Sequence, residues 1–411
     1  MGGYVFLGID IGTSGVKVVA MTPDSRISDS ATAPLVTSRP KTTWSEQNPE
    51  DWWAATNRAV LQLAPEVRAQ IGGIGLTGQM HGATLLDAQD RPLRPAILWN
   101  DGRSHVEASH LQHKEVGFLD AAGNTVMPGF TAPKLEWVRR HEPEIFEATV
   151  KVLLPKDYVR LCLSGAYASD MSDSAGTLWL DIERRAWHEP LLSACGLSLN
   201  HMPELYEGTQ ATGSLLPGVA SDWGMARVPI FAGGGDNAAG AAAVGVINPG
   251  QTLMSLGTSG VIFTATDGYR AAPASGVHSF CHAVPGRWHL MSVMLSAASC
   301  LDWACTLTGT STAADLIELA ETTKGKPVSE LFLPYLSGER TPHNDPHAKG
   351  VLFGVTHDTG PAELAQAVLE GVAFGMADGS DALMAAGATI DSFSVVGGGV
   401  KASLSPPPFA P

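Results

Sequence analysis

Residues 4–21 read YVFLGIDIGTSGVKVVAM and residues 252–266 read TLMSLGTSGVIFTAT, so the string GTSGV stands at 12–16 and again at 257–261. In the first stretch an apolar, β-branched run reaches Asp10, a Gly-Thr-Ser-Gly turn follows, and Val16–Met21 resumes as strand. This predicts a β-hairpin turning at Gly12–Gly15, and the second stretch predicts another. Such a match points to internal duplication. VPIFAGGGDN (228–237) and FSVVGGGVK (393–401) echo each other too, each placing an apolar strand before three glycines. The expected architecture is α/β: two similar domains facing each other across a cleft, 1–247 and 248–411, with Asn248-Pro249-Gly250 supplying turn residues at the boundary.

Outward from the hairpins, strands and helices alternate. Asp51–Leu63 reads as an amphipathic helix entered through Pro49, while Ile71–Leu76 and Ala96–Trp99 read as strands. Thr359-Gly360-Pro361 opens a long helix whose core-facing stripe is Leu364, Val368, Leu369 and Val372. Met291–Leu307, the nearest approach to a membrane span, carries Asp302 and several serines and reads as a buried helix.

Composition narrows the class. Of 411 residues 44% are hydrophobic and 16% charged, as in a globular chain with a substantial core. The 26 Lys+Arg against 41 Asp+Glu give a net charge of −15 with no basic run, so nucleic acid is not an expected partner, and neither is a membrane. MGGYVFLGID lacks the layout of a secretory signal, and five scattered cysteines without a CxxC pair fit a reducing compartment, so a cytoplasmic location is expected. Glycine (45) and proline (27) stand out, at about 18% of the chain against roughly 12% in average usage.

Turns of small residues let backbone N–H groups converge on an anion. Neither GTSG turn is a Walker loop, because GxxxxGK[ST] is absent and each turn joins two strands. With Asp10 just before the first turn and Lys17 just after it, the pair suggests a grip on a polyphosphate, Asp10 facing a phosphate-bound metal. The triplet at 233–235 leads into Asp236-Asn237 and an Ala-rich helix. Asp or Asn there is an N-cap, and glycine packing would equally bring a carboxylate within reach of a substrate hydroxyl; Asn237 can cap while Asp236 faces the substrate. Gln79 and His81, between glycines at a strand end, read either as structural groups or as ligand contacts. ILWNDGR (97–103) ends in the aromatic, amide, carboxylate and guanidinium mixture that suits a polyol. His278, Cys281 and His282 lack the ligand count of a zinc site and read as a structural turn, and His110 and His113 as a solvated helix face.

With DIGTSGVK, GQMHGATLLD, AGGGDNAAG, LGTSG and VGGG in that order, and with GFTAPKLEWVRRH (129–141) and GVLFGVTHDTGPAELAQAVLE (350–370), the chain resembles the FGGY carbohydrate kinases, and among them the bacterial xylulose kinases. The resemblance implies two ribonuclease H-like, actin-like ATPase domains closing around ATP and Mg2+, the N-terminal one for sugar and phosphate and the C-terminal one for nucleotide. It implies ATP-dependent phosphorylation of D-xylulose, with ribulose, gluconate or another polyol as the alternative substrate. Asp236 matches the general base, and Asp10 the carboxylate holding magnesium and γ-phosphate. Gly12, Thr13 and Lys17 match the first phosphate loop, Gly257, Thr258 and Ser259 the second, and Gly397, Gly398 and Gly399 the adenosine-side motif. Met80 and His81 match the xylulose-binding pair, Trp99 a polyol-contacting aromatic, and Asn237 lies beside the base. The QMHG turn stands where glycerol kinases carry an Arg-Glu pair.

The family continues past its last triplet into a helix of the WxQxxAD type and the rest of the second domain. Here Val400-Lys401-Ala402-Ser403 runs into Pro406-Pro407-Pro408, which cannot continue a helix. The expectation is a second domain left incomplete by loss of its C-terminal segment, with a truncated sugar-binding chain of impaired ATP binding as a further alternative. A homodimer is left open as the assembly.

Overall fold

Strand β1 (Val5–Ile11) turns at Gly12–Gly15 into β2 (Gly15–Met21), antiparallel, with Ile11 opposite Val16 and Asp10 opposite Lys17. The computed structural model describes residues 4–114, 117–323 and 329–397. The turn closes through Gly12 N–H donating to the Gly15 carbonyl at 3.0 Å. Neither glycine has a positive φ. Close approach is what requires Gly15, because a Cβ there would lie 2.8 Å from the Ala33 carbonyl oxygen on β3 (Ile27–Pro34), the antiparallel neighbour of β2.

Along β1 the side chains of Val5, Leu7, Ile9 and Ile11 are buried, and those between them face the other way. The buried face packs on helix α1 (Pro49–Gln62), started by an Asn48 side-chain cap and Pro49, which contributes Trp52, Ala55, Ala59 and Val60 to the same core. Strand β4 (Ile71–Gly78), helices α2 (Thr131–His141) and α3 (Pro155–Ser164), strands β5 (Ala211–Ser214) and β6 (Pro229–Gly235), and helix α4 (Asp236–Ala243) follow. The sheet order is β5-β6-β4-β1-β2-β3, with β4 parallel to β1 and β6 parallel to β4. These elements belong to one compact unit, Met1–Ala243 with Phe280–Trp288.

The other unit, Val244–Ser279 with His289–Pro411, repeats the hairpin as β7 (Gln251–Leu256) and β8 (Gly260–Thr266). Strands β9 (His278–Cys281), β10 (Trp288–Met294) and β11 (Ser392–Val396) join the hairpin in the sheet order β9-β10-β8-β7-β11, with helices α5 (Ala298–Thr308), α6 (Ala313–Glu321) and α7 (Pro361–Ala385) between β10 and β11.

Topology corrects the pairing of the two glycine triplets. β11 lies parallel to β7 as β4 lies parallel to β1. Gly397, at the end of β11, abuts the Leu256 backbone as Gly78, at the end of β4, abuts Ile11. The second triplet therefore corresponds to Gly78, whereas the first ends β6, one strand farther from the hairpin, and has no counterpart among the described residues.

Two helix expectations also change. Met291–Leu307 is the end of strand β10 followed by α5, because Ala297 and Ala298 donate their N–H groups to the carbonyls of Thr258 and Gly257, and the second glycine turn thereby sets the helix start. The buried face of α7 runs through Ala365, Val368, Gly371, Gly375, Gly379 and Leu383, while Leu364, Leu369 and Val372 are only half-buried. Small residues occupy that face because a Cβ on Gly371 would meet the Phe332 carbonyl at 2.3 Å. Among the described residues no helix is long and apolar enough to cross a membrane, and all five cysteines are free.

Gly233 has φ +74°, and a Cβ there would lie 1.7 Å from the Leu76 carbonyl oxygen. Gly233→Ala is therefore expected to destabilise the first unit by about 3 kcal/mol or more in urea unfolding, near the top of the range for single substitutions. Gly75→Ala, whose Cβ would have nothing within 4 Å, should stay within about 0.5 kcal/mol.

Candidate active site

The face of β1, β2 and β4 turned away from the core floors a cavity of about 560 Å³. Alternation brings Gly8, Asp10, Lys17, Gly75 and Thr77 to it, and β6 with the start of α4 adds Gly233, Gly234 and Asp236. Asp10 stands opposite Lys17 on one side and Thr77 on the other, with Gly234 opposite Thr77 on the next strand. Four glycines among these residues leave the floor without side chains, so a ligand can approach the backbone.

Asp236 opens α4, and its Oδ1 accepts the backbone N–H of Asn237 at 2.7 Å and the Asn237 amide at 3.1 Å. The expected division of labour is thus corrected: the Asn237 side chain makes no cap, and the Asp236 carboxylate takes up the first N–H of the helix. The carboxyl is reachable by solvent but has protein crowded around it. Desolvation, with the nearby Asp10 charge adding to it against the Asn237 hydrogen bonds, pushes its pKa up to about 6. Burial raises the Asp10 pKa as well, opposed by Lys17. Two carboxylates and one ammonium on a glycine floor suit a polyphosphate carrying its own cation. Among the described residues no group of three or more His, Cys, Asp or Glu side chains could hold a metal alone. That donor set fits Mg2+, which is bound through one or two carboxylates and the phosphates of its nucleotide.

The turn after β4 does not expose Gln79, which is buried and hydrogen-bonded to Gln47 and Thr13. Met80 packs against Gly235, directly behind Asp236. His81 takes a left-handed φ of +69°, unusual for a residue with a side chain. Several contacts hold it there. Its carbonyl accepts from Lys134 Nζ at 2.8 Å and Thr131 Oγ1 at 3.2 Å, its Nδ1 meets the Gly176 carbonyl at 2.8 Å, and its ring packs edge-on against Phe130. Gly176 must be glycine, since a Cβ would lie 2.3 Å from that Nδ1. Lys134 is wholly buried on α2, and desolvation holds its pKa well below the usual lysine range despite Asp101.

A buried ionic cluster fixes the strand that ends at Asp236. Lys156 Nζ lies 2.6 Å from Asp157, 2.7 Å from Asp170 and 3.1 Å from Asp173, all fully buried. Burial alone would discharge Lys156, but the three carboxylates outweigh it and keep the ammonium charged. Desolvation drives Asp173 well above the carboxylate range, since Lys156 offsets only part of it. From this cluster Arg160 donates to the carbonyls of Phe231 and Ala232 on β6, and Ser172 Oγ accepts the Gly235 N–H at 3.0 Å. Arg160, Ser172, Thr77 and Lys134 were not singled out from sequence. Only Lys134 left a signal there, as a lysine inside the apolar stretch GFTAPKLEW.

Several expected site groups lie elsewhere. Asp101 and Arg103 are buried and paired at 2.6 Å, with Arg103 also bonded to Glu46 and stacked 3.6 Å over Trp44, so the polyol reading of 97–103 shrinks to the exposed Trp99 and Asn100. Trp99 donates its indole N–H to Thr13 Oγ1 at 3.0 Å. His278–Cys281 is strand β9 rather than a turn, buried throughout. Met80, His81, Trp99 and Asn237 are not in the cavity wall; Met80 packs against Gly235, between the wall residues Gly234 and Asp236. In the second unit Thr258 and Ser259 are exposed at the turn after β7, and Gly397 follows β11; Gly398, Gly399 and the Pro-rich end lie outside the described residues.

The pattern of the FGGY family of carbohydrate kinases, N-terminal domain, matches residues 5–245, and that of its C-terminal domain matches residues 252–405. The chain is 56% identical over 398 residues to the xylulose kinase of Escherichia coli (strain K12), covering 97% of this chain and 82% of that protein. It is 37% identical over 401 residues to the xylulose kinase of Bacillus subtilis (strain 168), covering 96% of this chain and 80% of that one. A crystal structure of a xyloylose kinase from Brucella ovis superposes with a TM-score of 0.94 at 50% identity, over 97% of this chain and 83% of that chain. With both domain patterns matched along nearly its whole length and the two-domain fold shared, the chain belongs to the FGGY family of carbohydrate kinases.

Proposed function

We propose that this chain transfers the γ-phosphoryl group of ATP to the C5 hydroxyl of D-xylulose, giving D-xylulose 5-phosphate. The observation that carries the mechanism is Asp236, a carboxylate at the start of α4 with its pKa near 6, in one cavity with Asp10 and Lys17. The identity to xylulose kinases supports the substrate. Phosphoryl transfer asks the protein for alignment, charge neutralisation and one proton acceptor. Asp236 accepts the proton of the attacking hydroxyl at its carboxylate. Lys17 and the N–H groups of the Gly12–Gly15 turn, Thr13 among them, meet the phosphates. Asp10 would hold Mg2+, which when bound offsets charge on the phosphate oxygens. Met80, His81, Trp99 and Asn237 contact the sugar. We assign sugar and phosphate binding to residues 1–247 and nucleotide binding to 248–411 through Gly257, Thr258, Ser259 and Gly397, and we place the reaction in the cytoplasm.

Turnover on a panel of ketoses and polyols should be strongest with D-xylulose; a stronger response to ribulose, gluconate or another polyol overturns the substrate. Because Asp236 works ionised, kcat/KM should rise with pH, level off above about 6 and fall tenfold per unit below it. Asp236→Asn should lower kcat about 10²- to 10⁴-fold with D-xylulose affinity kept, and lose that acidic limb.

A carboxyl whose folded pKa is raised costs stability wherever it must ionise in the folded state. That cost is absent below the unfolded value and is incurred as pH rises through the folded one. Asp236→Asn should therefore melt higher than the parent at pH 7–8, and the difference should vanish near pH 4. Equal melting temperatures at both pH values would remove the strain from Asp236.

A further inference from the structure

The turn carrying Met80 and His81 and the glycine hairpin at 12–15 are joined by a directional chain of hydrogen bonds. Trp99 Nε1 donates to Thr13 Oγ1 at 3.0 Å, and Thr13 Oγ1 donates to Gln79 Oε1 at 3.1 Å. Gln79 Nε2 donates to Gln47 Oε1 at 2.9 Å, and Gln47 Nε2 returns to the Thr13 carbonyl at 2.6 Å. Trp52 Nε1 donates to the same Gln47 oxygen at 2.8 Å, and the Gln79 backbone N–H donates to the Ile11 carbonyl at 2.9 Å.

The two indoles fix the direction of the whole chain, because an indole N–H can only donate. Trp99 makes the Thr13 hydroxyl an acceptor at one lone pair, which sends its proton to Gln79 Oε1. Trp52 makes Gln47 Oε1 an acceptor, which presents the Gln79 amide nitrogen to it. Gln47 and Gln79 are each 2% exposed and Trp52 is wholly buried, so no water stands ready to replace a lost partner. Trp99 is exposed, at 48%, and Thr13 is half-buried. The chain runs from a ring at the surface, past the residue preceding Met80-His81, to the second residue of the hairpin turn. It contains none of Asp10, Lys17 and Asp236.

We propose that Gln79, Gln47 and the indole N–H of Trp99 are positioning residues that couple sugar binding at Trp99 and the 80–81 turn to phosphate binding at the 12–15 hairpin. Sugar seated on Trp99 holds the indole where it orients Thr13, and through Gln79 the same Thr13 is tied to the sugar turn. Each substrate then tightens the other. The inference rests on the sugar and phosphate assignments proposed above.

Calorimetry tests it. The affinity of D-xylulose is measured with and without a non-hydrolysable ATP analogue and Mg2+, and the analogue with and without sugar, for the parent chain, Trp99→Phe and Gln79→Leu. Trp99→Phe keeps an aromatic ring and removes the indole donor at an exposed position, so it folds even where the buried Gln79→Leu does not. The parent is expected to show mutual tightening of about fivefold or more. Both variants should bring that factor close to one and raise the KM for ATP in proportion, and Gln79→Leu, at a side chain that touches neither substrate, should leave sugar affinity in the absence of nucleotide within about twofold of the parent. A parent without mutual tightening, or a Trp99→Phe chain that keeps it in full, overturns the proposal, as does a loss confined to sugar affinity. If the parent turns over another sugar best, the substrate reading fails and the same measurements are made with that sugar.

Discussion

Every second side chain of β1, β2 and β4 is committed to the core around α1, and the remaining positions are thereby delivered to one surface. Leu7, Ile9, Ile11, Val16 and Val18 are wholly or almost wholly buried, each contributing roughly 1.5–3 kcal/mol by leaving water. A one-residue slip of β1 would move that set to the open face and carry Asp10 into the core. The hydrophobic requirement of the sheet is thus also what aims Asp10, Lys17 and Thr77 at the same cavity. Gly8 and Gly75, on the same face, keep the floor open.

The opposite wall of the cavity depends on buried charge. Lys156, Arg160 and three aspartates lie without solvent at the root of β6, an arrangement whose desolvation cost is offset only by dense pairing. Its bonds to the carbonyls of Phe231 and Ala232 and, through Ser172, to the Gly235 N–H hold the strand to the end of its glycine triplet. The same physics gives opposite results at two places in this unit. Lys156, ringed by carboxylates, stays charged, while Asp236, with no cation against it and Asp10 nearby, is pushed toward neutrality. A carboxylate of raised basicity at that point is what proton acceptance from a hydroxyl calls for.

Local patterns were legible where the chemistry is local. The GTSG turns, the alternation in β1 and the Pro49 and Pro361 helix starts all appear as read, because turn closure and burial period act over a few residues. Met291–Leu307 looks like one helix in sequence because its division into strand and helix is made by the carbonyls of Gly257 and Thr258, remote along the chain. The ILWNDGR stretch has a polyol-binding composition, yet Glu46 and Trp44 claim its charged residues for the interior. The two Gly triplets look alike in sequence but end strands in different positions of their sheets, and only strand order separates them.

By itself the sequence determined the duplicated hairpins, the α/β class and the family, together with the candidates Asp10, Lys17 and Asp236, because those follow from runs of neighbouring residues. The tertiary structure decided which candidates share a cavity, that Asp236 rather than Asn237 takes the first helix N–H, that His81 is held in a left-handed backbone by Lys134 and Thr131, and that Thr13, Gln79, Gln47 and Trp99 form one hydrogen-bonded chain. Apart from the Asp236–Asn237 contact, which joins neighbours, these depend on side chains tens of residues apart meeting in the folded chain, where an unpaired polar group shielded from water is costly and its partner is therefore specified by packing rather than by spacing.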